Sequence, residues 1–91
     1  MKVQTVSIRE VYLSGVEFFS LAMALKGYPV EVTAFEAFTN RHSFLSMEVH
    51  KMVRNQQSGY FEVEGTLGDG REDFRGIYNS GTKHFPCTLT E

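Results

Sequence analysis

Three histidines, one cysteine and a run of cations between residues 41 and 54 are the side chains with the most versatile chemistry in this sequence. Catalysis or metal binding needs such groups to converge, and their spacing works against it. His84 and Cys87 are three residues apart, which in an extended chain sends them to opposite faces. His42 and His50 on a helix would stand about 80° apart and more than two turns along, too far to share a metal without further ligands. There is no Cys-x-x-Cys, no phosphate-cradling loop and no paired-carboxylate motif. The run Gly65-Thr66-Leu67-Gly68-Asp69-Gly70 lacks the helix that a nucleotide loop must open into, because Glu72-Asp73-Phe74-Arg75-Gly76 alternates like a strand. No catalytic residue, metal or cofactor is therefore expected, and the chain reads as a binder and not an enzyme.

What remains is recognition by charge. Residues 41–55 carry Arg41, Lys51 and Arg54 against Glu48, with His42 and His50 in addition, while residues 56–91 carry three cations against six acids. The net charge is −2, so attraction for a polyanion has to come from the local basic stretch. A length of 91 residues allows one domain, 1–91, whose core must use nearly every apolar residue. Its 42% hydrophobic and 22% charged composition, with eight Phe and four Tyr, suits a packed fold. The single Cys87 has no partner for an internal disulfide and reads as a small apolar strand residue, which fits a reducing cytoplasm. MKVQTVSIRE has no apolar leader core, and VEFFSLAMAL is about half a membrane span, so no membrane association is expected.

Caps and periods predict the elements that would position the basic stretch. MKVQTVS reads as a short strand or arm. Ser7 with Glu10, and Ser14 with Glu17, each have the Ser-x-x-Glu form of a capping box, and Gly15 places the secure helix start at Ser14. That helix should end at Lys26-Gly27, ahead of Pro29. Apolar residues nearly encircle it, which leaves two readings: burial within the domain, or a homodimer interface through helix 14–26. YPVEV suits a brief strand. Thr33 and Glu36 form a third capping box, opening a helix that ends where Asn40 turns the chain, and Ser43 caps a further helix to about Gln56. There Leu45, Val49, Met52 and Val53 follow i, i+4, i+7 and i+8, leaving Ser43, Phe44, Ser46, Met47, His50, Lys51 and Arg54 on or beside the wet side. After Gly59 the period changes to two. Asp69-Gly70 is a hairpin signal that sets Phe61 opposite Tyr78, Val63 opposite Gly76 and Gly65 opposite Phe74, with Glu64 across from Arg75. KHFPCTL returns as a third strand, which Pro86 assigns to a sheet edge.

This order of elements resembles the winged helix-turn-helix family over residues 14–78. GYPVEVTAFEAFTNRHSFLSMEVHKMV followed by SGYFEVEG looks like the family's strand, helix pair and entry to the wing. The resemblance implies an α+β fold of three helices, a β-hairpin wing and an extra C-terminal strand, belonging to a small DNA-binding transcriptional regulator. Helix 43–56 would be its recognition helix, with Ser43, Phe44, Ser46, Met47, His50 and Lys51 nearest the major groove of double-stranded DNA and Arg41 and Arg54 at phosphates. The acids motivate a second expectation. Glu62, Glu64, Asp69, Glu72 and Asp73 in the hairpin 60–78 suit a protein partner with a basic surface, as in a phage- or plasmid-type module that binds and inhibits a host or defence enzyme. A third is recruitment into a larger assembly by edge pairing along 83–89.

Overall fold

The computed structural model describes residues 8–68 and 72–90. Over them the chain forms β1 (Ile8–Ser14), α1 (Phe18–Leu25), β2 (Val30–Glu36), β3 (Arg41–Arg54), β4 (Phe61–Leu67), β5 (Glu72–Tyr78) and β6 (Pro86–Thr90). Each strand pairs antiparallel with the next and β6 pairs back onto β1, which closes a six-stranded barrel. The three-helix α+β winged fold expected from the sequence is thereby corrected. Both helices of the supposed helix-turn-helix are strands, β2 and β3, and Asn40, at φ 53°, turns a β-hairpin between them.

The physical reason lies in one irregularity. β3 is 14 residues long and pairs with β2 through residues 41–47 and with β4 through residues 47–54. Its register against β4 shifts between Val49 and Lys51, and such a bulge moves the inward-facing side chains from odd to even positions. Leu45, Met47 and Val49 are therefore core residues before the bulge and Met52 after it. A step of four along an alternating strand followed by a step of three across a bulge reproduces the i, i+4, i+7 spacing of a helix.

Alternation fills the interior. Val11 and Leu13 from β1, Val32 and Ala34 from β2, Val63 and Leu67 from β4, Phe74 and Tyr78 from β5, and Cys87 and Leu89 from β6 are all buried. The rings of Phe74 and Tyr78 both meet Phe85 edge-on, with centroids 6.2 and 5.3 Å apart. Gly76 is what lets β5 and β6 close around these rings. A Cβ there would collide with Cys87 Sγ and stand 2.8 Å from both Phe85 Cε1 and the Pro86 carbonyl oxygen.

The helix covers one end. Leu21 and Ala24 are buried against the barrel, the Phe18 ring meets Phe61 at 5.1 Å, and the Tyr78 hydroxyl donates to the Val16 carbonyl at 3.0 Å. It ends as expected, with Lys26 at the cap and Gly27 at φ 97°, a conformation that costs glycine little. It starts at Phe18 and not at Ser14, because Ser14 is still paired with Thr33 in the sheet. The expected arm and the Ser7 cap lie outside the described residues. At the other end Arg9 reaches Glu36 at 3.8 Å and pairs closely with Glu72.

The hairpin register is as expected: Phe61 opposite Tyr78, Val63 opposite Gly76, Glu64 opposite Arg75 and Gly65 opposite Phe74. Asp69 and Gly70 themselves lie outside the described residues. Pro86 does not mark an edge, since β6 is bonded on both sides; it is the first residue of β6, where a missing N–H is tolerated. A closed sheet offers no such edge along 83–89 for recruitment. Among the described residues no helix is long and apolar enough to cross a membrane.

Candidate partner-binding face

The residues expected at a DNA groove are divided between the two sides of the barrel wall. Met47 is fully buried in the core and Ser43 lies on the same inward parity of β3. Phe44, Ser46, His50 and Lys51 are exposed on the outside, and Arg41 and Arg54 sit at opposite ends of the strand. Without a helix over 43–56 no recognition helix exists to present them together, which overturns winged helix-turn-helix DNA binding. The acidic set is also divided. Glu62, Glu64 and Asp73 point outward from β4 and β5, Glu72 turns to the barrel end where it holds Arg9, and Asp69 lies outside the described residues.

What the barrel does assemble is a pair of lanes crossing its outer wall. Antiparallel partners place their side chains on one face, so the registers can be followed from strand to strand. Val53 stands opposite Glu62, Glu62 opposite Ile77, and Pro86 opposite Tyr12. The pairing of Gly76 with Cys87 brings Ile77 beside Pro86 and so joins these pairs into one row. The row is apolar apart from Glu62, and Val53 (45%), Ile77 (48%) and Tyr12 (43%) are open to solvent. It continues through Phe35, opposite Tyr12, to His42, whose ring lies 4.6 Å from that of Phe35. At the β6 end the His84 ring stacks on Tyr12 at 5.6 Å.

The second lane is polar. Lys51 stands opposite Glu64, Glu64 opposite Arg75, Arg75 opposite Thr88, and Thr88 opposite Glu10. Arg75 Nε donates to Glu64 Oε1 at 2.8 Å, so that pair is neutralised in place. No described residue pairs with Glu10 or Glu62, and both are exposed. Together the lanes line one cleft of about 710 Å³, five strands wide and two outward residues deep along each strand, with Gly76 in its floor.

Glu62 and Glu64 are the two members of this face marked in the sequence by the acidity of the hairpin. Ile77 carried a readable signal too: once Phe74, Gly76 and Tyr78 face inward, an isoleucine between them must face water. Glu10, Tyr12, Pro86 and Thr88 had no local signal, because only barrel closure places β1 and β6 beside the hairpin.

Reactive chemistry is not gathered here. The Cys87 thiol is buried and burial pushes its pKa up, away from the thiolate that nucleophilic or metal chemistry needs. Among the described residues no group of His, Cys, Asp and Glu is arranged to hold a metal ion. Tyr78, raised chiefly by desolvation, is occupied in tying α1 to the barrel. No family model, curated protein or solved structure matches this chain.

Proposed function

We propose that the protein is a non-catalytic module that binds another protein through the outer cleft of β1, β6, β5, β4 and the end of β3. The observation that carries this reading is the lane of Val53, Ile77 and Tyr12, open to solvent around the half-buried Pro86, next to two carboxylates that have no partner among the described residues. Val53, Ile77 and Tyr12 keep nearly half of their surface wet after folding, and covering that remainder is worth roughly 25 cal/mol per Å² buried. An aromatic and branched aliphatic centre with a charged rim is the composition of a protein interface core. Glu10 and Glu62 would repel phosphates, which disfavours nucleic acid, and a lipid-facing wall would not carry Glu62, Glu64 and Arg75. The complementary partner surface is apolar and flanked by Lys or Arg.

Site-specific photocrosslinking tests this. A benzoylphenylalanine placed at Ile77 or Thr88 in cells should give a discrete protein adduct, and Glu10→Lys with Glu62→Lys should diminish it. Equal adduct formation from Ser46, on the outer wall away from the cleft, would overturn the assignment.

A further inference from the structure

We infer that the occupant of the cleft is a basic amphipathic helix lying across the strands, an inference that rests on the reading of this cleft as the partner-binding face. The cleft is five strands wide and only two outward residues deep along each, so its long axis runs perpendicular to the strands. Neighbouring strands are about 4.8 Å apart, which makes the lane from Val53 to Tyr12 roughly 19 Å long, the length of a helix of about 13 residues.

The period of the lane selects a helix over an extended segment. A helix returns a side chain to one face every turn, about 5.4 Å, and drifts by only about 2 Å against four strand spacings. An extended segment returns one every second residue, about 6.8 Å, and is out of step by roughly 8 Å over the same distance. Strand addition is disfavoured as well, because the sheet is closed and β5 and β6, in the middle of the cleft, are bonded on both sides.

The charges define the helix further. One face of it, at i, i+4, i+7, i+11 and i+14, would follow the row strand by strand, with apolar residues at i, i+7, i+11 and i+14 on Val53, Ile77, Pro86 and Tyr12. A Lys or Arg at i+4, within the stripe, would meet Glu62 near one end, and another beside the stripe would meet Glu10 near the other, three strands away. Glu64 is already held by Arg75 and contributes little net attraction.

The test titrates the full chain into a fluorescein-labelled peptide of about 16 residues, built of Leu, Lys and Ala with Leu at i, i+7, i+11 and i+14 and Lys at i+4 and flanking the stripe. A scrambled peptide of the same composition serves as control, and anisotropy and the helical circular-dichroism signal are read. The designed peptide should bind at least about tenfold more tightly than the scrambled one and gain helicity on mixing. Both Ile77→Ser and the Glu10→Lys, Glu62→Lys pair should weaken it about tenfold or more, with the unfolding midpoint of each variant confirming an intact barrel. Equal affinity for the scrambled peptide, or indifference to both variants, would overturn the inference. If neither peptide binds while Ile77 still crosslinks to a protein, the helix falls and the binding face stands; if Ile77 gives no adduct either, both fall.

Discussion

β5 has two rows of side chains with opposite duties. Phe74, Gly76 and Tyr78 face inward and are buried, whereas Asp73, Arg75 and Ile77 face outward and are exposed. On the inner row each atom is fixed by neighbours: Gly76 cannot carry a Cβ, and the Tyr78 hydroxyl is held by the Val16 carbonyl. On the outer row Arg75 is tied to Glu64, and Ile77 keeps nearly half of its apolar surface open to solvent. Stability is thus written in one parity of the strand and recognition in the other. Substitutions one residue apart should therefore separate the two.

The sharpest way to break that division is at Gly76. Gly76→Val puts branched carbons where Cys87, Phe85 and the Pro86 backbone already stand, in the middle of two packed strands. Overpacking of this kind costs about 3 kcal/mol or more, and a urea melt should show a barely folded or unfolded chain. A midpoint equal to that of the parent would mean that β5 and β6 are not closed as described. Leu21→Ala, which leaves a hole where α1 seats on the barrel, should cost about 2–5 kcal/mol by the same measurement.

Alkaline pH probes the inner row more gently. Cys87 ionises from an ordinary value of 9.0 and Tyr78 from 10.0, and burial raises both in the folded barrel. Above those values the unfolded chain has lost protons that the native state still holds. Stability is therefore complete below about pH 9 and falls as the pH rises, with each group adding a slope of up to about 1.4 kcal/mol per unit. Denaturant midpoints between pH 8 and 11 should show this decline, and Cys87→Ala should postpone its onset even though the cavity lowers the whole curve.

The same two parities explain how much could be read from the chain. In the hairpin 60–78 one unbroken alternation meets one strong turn signal, so the pairing of Phe61 with Tyr78 and Glu64 with Arg75 followed from local information. In β3 the alternation is interrupted at His50, and the inward set Leu45, Val49 and Met52 then carries the spacing of a helix. The polar–apolar order of Leu45-Ser46-Met47-Glu48-Val49-His50 held the strand signal, but the Thr33–Glu36 capping box and Ser43 as a helix cap outweighed it. Barrel closure is a contact between the first and last described strands, from Ile8 with Thr90 to Tyr12 with Pro86, and no local pattern encodes it. Hence Glu62 and Glu64 stood out in the hairpin's acidity, whereas Glu10 and the apolar residues beside them did not.

The smallest expected change in stability accompanies the largest in function. Ile77→Ser removes an exposed side chain with no ring or core contact of its own and keeps a β-compatible residue in an outward position. Its midpoint should shift by no more than about 0.5 kcal/mol, against about 3 kcal/mol for the substitution one residue earlier. If the lane is a binding surface, the same change takes away the apolar centre of the contact, where truncation of a hot-spot side chain costs about 2 kcal/mol or more of binding. Photocrosslinking from Thr88 in an Ile77→Ser background reads that loss directly. A stable variant that keeps its adduct would show that the outer row of β5 is not where the partner sits. A variant that loses stability instead would show that the two parities are not separate.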